Sequence, residues 1–207
     1  MRPTGIDLFA GAGGMSLGFE QAGFDIVAAV EIDPIHAAIH KYNFPRCTMI
    51  ARSVSDLTAE DIREMAGIGE RKIDVVFGGA PCQGFSLIGH RAIDDPRNSL
   101  VKEFVRIVTE LDASYFVFEN VKGLTVGRHR RFLNEIIEEF GKHGYDVRDP
   151  WKVLNAATLG VPQSRERLIL LGAKKGLSIP GYPKENEVRT GSQKKFGPTC
   201  EEALGDI

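Results

Sequence analysis

Short apolar, β-branched runs alternate along this chain with segments of helical periodicity, and that alternation limits the fold more than any other feature. The runs are Ile6-Asp7-Leu8-Phe9, Ile26-Val27-Ala28-Ala29-Val30, Ile73-Asp74-Val75-Val76-Phe77, Tyr115-Phe116-Val117-Phe118 and Leu168-Ile169-Leu170-Leu171, with a less regular strand over 47–54. Between them, glycines after Phe9 turn into a helix that runs to about Ala22. Asp33-Pro34 supplies an N-cap followed by a proline at the first helical position. Asn98 opens a helix with Val101, Phe104, Val105 and Val108 on one face, and 128–143 places Phe132, Ile136 and Phe140 on one stripe. Strand–helix–strand repetition of this kind predicts an α/β fold with a doubly wound, mostly parallel sheet.

The 207 residues suffice for one domain with a sizeable core. Residues 1–179 are expected to form it, with 180–207, rich in Pro, Gly and Lys, as a linker leading away. Cys47, Cys82 and Cys200 lie far apart, so they offer neither metal spacing nor a disulfide framework. A reducing, cytoplasmic setting and no metal are the corresponding expectations. No apolar run approaches the length of a membrane span. The net charge of −2 means that a nucleic-acid surface has to be local.

Residues with chemical potential gather where the strands end. Ala80-Pro81-Cys82-Gln83-Gly84-Phe85-Ser86 follows the fourth run, and a cysteine at the carboxyl end of a strand sits where open α/β sheets place ligands. Thiolates are strong nucleophiles at neutral pH, although an isolated cysteine also serves as a small buried hydrophobe. Gly11-Ala12-Gly13-Gly14 follows the first run and opens a helix, which suits close approach of a ligand to backbone. Glu31 ends the second run, where an acid suits ribose hydroxyls. The glycine spacing differs from the dinucleotide pattern, which speaks against a nicotinamide oxidoreductase. Glu119-Asn120-Val121 ends the fifth run, and Gln163-Ser164-Arg165-Glu166-Arg167 precedes the last. Arginines at alternate positions of an extended segment face the same way and can hold a carbonyl or a phosphate.

Taken in order, Phe9-x-Gly11-x-Gly13, Pro81-Cys82-Gln83, Glu119-Asn120-Val121 and Gln163-x-Arg165-x-Arg167 resemble the motifs of the cytosine-C5 DNA methyltransferases. The resemblance extends from residue 5 to about 207. It implies S-adenosylmethionine as cofactor, with S-adenosylhomocysteine as product, bound by Phe9, Gly11, Gly13, Glu31, Ile32, Asp56, Leu57, Pro81, Asn98 and Leu100. It implies Cys82 as the nucleophile, Glu119 as the acid at cytosine N3, and Arg165 with Arg167 around the base. Double-stranded DNA is the implied partner, with Gln83, Ser86, Arg91, Arg97 and Gln163 as contacts, in a cytoplasmic, nucleoid-associated setting and with no membrane partner. Members of that family continue into a target-recognition region, and residues 199–206 resemble the stretch before it. The expectation is therefore a fragment, a truncated gene, or one half of a split enzyme whose second polypeptide supplies that region. An RNA cytosine methyltransferase and a non-catalytic subunit are the alternative readings.

Overall fold

The computed structural model describes residues 2–81, 98–127, 129–184 and 198–205. Eight strands form one sheet: β1 (Thr4–Leu8), β2 (Asp25–Val30), β3 (Thr48–Ile50), β4 (Val75–Gly78), β5 (Tyr115–Val121), β6 (Tyr145–Val147), β7 (Lys152–Asn155) and β8 (Glu166–Lys174). The helices are α1 (Gly14–Gln21), α2 (Pro34–Asn43), α3 (Ala59–Ala66), α4 (Ser99–Glu110), α5 (His129–Lys142) and α6 (Cys200–Leu204).

The sheet order is β3-β2-β1-β4-β5-β8-β6, with β7 also paired to β8. Strands β1 to β5 run parallel to their neighbours. Strand β8 runs antiparallel to β5, β6 and β7. The order reverses between β1 and β4, which makes the carboxyl ends of these two strands a topological switch point. Register aligns Val30, Leu8, Gly78 and Phe118 across the parallel strands. Phe9, Glu31 and Gly79 therefore leave the sheet along one edge, beside Glu119, which is still within β5.

The expected apolar stripes carry the packing. Val101, Phe104, Val105 and Val108 of α4 and Phe132, Ile136 and Phe140 of α5 are buried against Ile6, Leu8, Val76, Phe116, Phe118, Leu168 and Leu170. Phe116 stacks on Phe140 at 3.7 Å, and a Cβ on Gly172 would lie 2.0 Å from the Phe116 ring, so that strand position has to be glycine. Helices α1 and α2 cover the other face, where Phe44 joins Ala29, Val75 and Phe77.

Several boundaries differ from the sequence expectations. The third strand is only Thr48–Ile50, because Val54–Asp56 forms a 3-10 turn. Helix α3 follows, started by a reciprocal Thr58–Asp61 capping box. The last strand is longer than 168–171, and β6 and β7 pair with it. Asn98 stands at the N-cap of α4 without a side-chain cap bond and is fully buried. The region read as a linker holds α6, begun by a Thr199–Glu202 capping box. Asp33 caps α2 as expected, accepting from the amides of Ile35 at 2.8 Å and His36 at 3.0 Å.

Candidate active site

Strand β1 ends abruptly. Phe9 takes a left-handed conformation at φ 61°, which costs a bulky side chain about 1–3 kcal/mol and marks a backbone held for a purpose. Gly11 (φ 54°) and Gly13 (φ 98°) complete the turn, closed by the Gly13 amide donating to the Ala10 carbonyl at 3.0 Å. The two glycines serve different ends. A Cβ on Gly13 would lie 2.2 Å from the Phe44 ring, so helix packing requires that glycine. A Cβ on Gly11 would meet nothing within 4 Å, so that glycine faces open space.

Glu31 ties this turn to the start of α2. Its Oε2 accepts from the Gly11 amide at 2.8 Å, and its Oε1 accepts from the Asp33 amide at 2.9 Å. Each oxygen keeps a lone-pair direction beyond these bonds. Ile32, 68% exposed, stands beside it as an apolar platform. An open glycine backbone, a fixed carboxylate and an exposed isoleucine fit a ligand with a ribose and a flat apolar base.

The residues 54–57 are held from α4. One Arg106 terminal nitrogen donates to the Leu57 carbonyl at 2.8 Å and to that of Val54 at 3.3 Å. Glu103 and Glu110 hold the Arg106 guanidinium, and Glu110 also accepts from the Ala59 amide at 3.0 Å. The Leu57 side chain is buried in the core, so this residue offers the site only its backbone; Asp56 is exposed. Leu100 is half-buried against the same core, and Pro81 is exposed.

Glu119 anchors the second part of the site. Its Oε1 forms an ion pair with Arg167 Nε at 2.9 Å and lies 3.8 Å from an Arg165 terminal nitrogen. The alternation along 165–167 is as expected: both arginines reach Glu119, while Glu166 turns the other way and pairs with Lys122 at 2.8 Å. Arg167 is the tighter partner, whereas Arg165 is half exposed and free to turn towards a ligand. A Cβ on Gly79 would lie 2.8 Å from Glu119 Oε2, so the carboxylate sits directly against the exit of β4. Asn120 donates from Nδ2 to the Ala80 carbonyl at 3.0 Å, fixing the chain one residue before Pro81. Gln163 is exposed at the rim.

Cys82, Gln83, Ser86, Arg91 and Arg97 lie outside the described residues. Of the other cysteines, Cys47 is buried with its thiol pushed up to about 12, mainly by desolvation, which leaves it inert as a nucleophile; Cys200 is exposed.

The Arg106 clamp and the Asn120 side-chain bond were not foreseen, because both join residues some 40 to 50 positions apart. Nor was a buried chain under the glycine turn. Asp7, 1% exposed, accepts from the Ser16 hydroxyl at 2.7 Å, and Ser16 Oγ lies 3.1 Å from His40 Nε2. Burial pushes the Asp7 carboxyl up to about 7, opposed by the Ser16 hydroxyl and amide, with the Glu31 charge adding to the rise. A carboxylate in the middle of an apolar strand was the available signal.

The C-5 cytosine-specific DNA methylase family matches residues 4–207. Type II methyltransferase M.XorII of Xanthomonas oryzae is 64% identical over all of this chain, which spans 46% of that protein. Type II methyltransferase M.AquIA of Picosynechococcus is 38% identical over 98% of this chain and 88% of its own length. A crystal structure of a prophage-encoded DNA modification methyltransferase from E. coli superposes with TM-score 0.72 at 39% identity, covering 84% of this chain and 47% of that one. The chain spans about half the length of most of the curated relatives it matches. A strand-end glycine turn with its acid, and a second carboxylate set against the exit of β4, are thus the features of a chain that belongs to the C-5 cytosine-specific DNA methylases.

Proposed function

We propose that this chain is the catalytic portion of a DNA cytosine-C5 methyltransferase, using S-adenosylmethionine. The observation that carries this reading is Glu119, held by Arg167 and seated against Gly79, three residues before Cys82 in sequence. Such a carboxyl stands beside the nucleophile's strand exit, where it can serve N3 of a cytosine.

Bound S-adenosylmethionine supplies an electrophilic methyl on its sulfonium. Cys82 attacks C6 of a flipped cytosine as a thiolate, and Glu119 gives a proton or hydrogen bond to N3, so C5 becomes enamine-like. The cofactor would supply the methyl to C5 and leave as S-adenosylhomocysteine; loss of the C5 proton to a base and expulsion of the Cys82 thiolate would then restore the C5–C6 double bond. Arg165 holds the base, and Arg167 holds Glu119. Phe9, Gly11, Gly13, Glu31, Ile32, the Asp56–Leu57 backbone, Pro81, Asn98 and Leu100 form the cofactor side. Gln83, Ser86, Arg91, Arg97 and Gln163 contact DNA.

Residues 1–179 constitute the catalytic unit, and the rest leads towards a target-recognition region supplied by further chain or by a second polypeptide. The near-full span of M.AquIA, against about half of M.XorII, supports a catalytic portion that works with such a region. Chromosomal DNA in the cytoplasm is the place of action, within a restriction-modification system. Duplex DNA carrying 5-fluorocytosine tests the reading, because fluorine at C5 cannot leave as a proton. With recognition region and cofactor present, wild type traps DNA covalently, Cys82→Ser does not, and Glu119→Gln traps about 10²–10⁴ times more slowly. Trapping by Cys82→Ser at the wild-type level, or preferential methylation of transfer RNA, removes it.

A further inference from the structure

The turn that receives the cofactor rests on a polar chain that the proposed chemistry does not use. Helix α1 begins at Gly13, which has no side chain to cap the helix and cannot gain one, because Phe44 occupies the place of its Cβ. The cap comes from the neighbouring strand instead. Asp7 of β1 accepts from the hydroxyl of Ser16, the third residue of α1, at 2.7 Å, and the Ser16 amide adds a favourable pull on its charge. An anion there satisfies an otherwise orphaned helix amide and complements the positive end of the helix dipole. The chain continues to His40 of α2, 0% exposed, whose ring lies 4.6 Å from that of Phe44. His40 Nδ1 is buried and finds no hydrogen-bond partner among the described residues.

These contacts set the direction of the protons. With Asp7 ionised, the Ser16 hydroxyl donates to Asp7, and His40 Nε2–H donates to Ser16 Oγ. His40 is then neutral with a bare Nδ1, in keeping with burial holding its pKa below the ordinary value. With Asp7 protonated, the carboxyl can donate to Ser16 Oγ, the chain reverses, and the His40 proton moves to the orphaned Nδ1. The ionised form binds the first turn of α1 with charge-assisted bonds, and the protonated form releases part of that hold.

We propose that Asp7, Ser16 and His40 are positioning residues whose shared proton state sets the Gly11–Gly14 turn, so that cofactor affinity is coupled to ionisation of Asp7. The proposal rests on the reading of that turn as the S-adenosylmethionine site. Affinity rises with pH as Asp7 ionises. Three further groups face the chain: Glu31 at the end of β2, whose charge acts on both Asp7 and His40; Cys47 before β3, a neutral thiol across this range; and Glu20 of α1, which acts on Cys47.

The test is calorimetric titration of the full chain with S-adenosylhomocysteine at pH 6, 7 and 8, in two buffers of different ionisation enthalpy. The ligand lacks the sulfonium charge, so the readout is the state of the turn rather than attraction between ligand and Asp7. Wild type is expected to bind several-fold more tightly at pH 8 than at pH 6 and to release a fraction of a proton at pH 6. Asp7→Asn keeps an acceptor for Ser16 but cannot ionise, and its affinity is expected to be flat with pH. Ser16→Ala, which breaks the chain with a smaller change, is expected to flatten it as well. Wild-type binding that is flat with pH, or Asp7→Asn binding that keeps the wild-type slope, overturns the proposal. If wild type binds at no pH, the cofactor reading fails, and the relay is read in the unliganded chain by NMR of the His40 ring. A His40 inflection near neutral pH that Asp7→Asn removes supports the relay, and identical His40 titration in both proteins overturns it.

Discussion

The two faces of the sheet are built differently. On the face covered by α3, α4 and α5, Phe104, Phe116, Phe118, Phe132 and Phe140 are all buried, with ring stacking and edge contacts among them. On the opposite face, α1 and α2 cover the half from β3 to β4, where Phe19 stacks on Phe77 at 3.8 Å. Further along that face, Tyr115, Val117, Ile169 and Leu171 are only half-buried. Strand alternation places Glu119 in line with Tyr115 and Val117, so the candidate acid belongs to the less covered face. Asp7, Phe77, Val117 and Leu171 form one register row across it. Stability is thus concentrated on one side, and the candidate chemistry sits on the other, less covered side.

Breaking the closed face carries the largest expected cost. Phe116→Ala removes a ring packed against Phe140 and Tyr145 and leaves a cavity beside Gly172. Urea unfolding is expected to show a loss of about 3–5 kcal/mol. A loss below about 1 kcal/mol would mean that the two faces share the load.

Legibility in sequence follows the same division. Strands and helices of the closed face announce themselves, because complete burial needs continuous apolar runs or stripes, as in Phe116–Phe118 and Val101–Val108. Strands β6 and β7 are three and four residues long and partly exposed, so their sequences carry little periodicity and their pairing depends on β8. Helix α3 buries only Ala59 and Ile62 among eight residues, which left its capping box as the readable signal. The placement of Phe9, Gly11, Glu31, Glu119 and the alternating arginines at strand ends is legible, because turns and charged residues follow the apolar runs in sequence. Gly13 was legible as a glycine but not for its reason, since the clash with Phe44 is tertiary. Leu57, expected in a cofactor-contacting segment, has its side chain in the core, which leaves its backbone for that role.

The next effect separates the faces by pH. Burial raises the Asp7 carboxyl from 3.8 to about 7, so between these values the folded state holds a proton that the unfolded state has lost. The stability linked to this group is present in full below about pH 4 and is lost as pH rises through 7, by about 4 kcal/mol. Asp74, whose carboxyl is lowered by the Thr4 amide and Lys72, acts in the opposite sense, losing its contribution as pH falls. Asp7→Asn is therefore expected to gain stability relative to wild type between pH 5 and 8 in thermal unfolding at fixed ionic strength. A constant difference across that range would refute the assignment.

A smaller effect concerns the clamp on residues 54–57. Arg106→Met keeps the aliphatic stem of the side chain and removes the donors to the Val54 and Leu57 carbonyls. Binding of S-adenosylhomocysteine, by calorimetry, is expected to weaken about tenfold, or about 1.4 kcal/mol. The Arg106 ion pairs are partly exposed, which keeps the cost modest. Unchanged affinity would place the clamp outside the cofactor site.

The smallest effect tests the open face directly. Val117 stands beside Phe116 in β5 but points to the other side, opposite Leu171 of β8 and next to Phe77 of β4. Val117→Ala deletes two methyl groups that are only partly removed from water, so the expected loss in the chain alone is about 1 kcal/mol or less. If a recognition region covers this face, the burial of Val117 is completed, and the same substitution is expected to cost about twice as much. The comparison is made by urea unfolding of wild type and Val117→Ala, alone and with the recognition region present. Phe116→Ala, already fully buried, is expected to cost the same in both settings, so it calibrates the measurement. A Val117→Ala cost that does not change when the recognition region is added would show that the covering protein docks elsewhere, and that the half-buried row is simply the solvent side of the sheet.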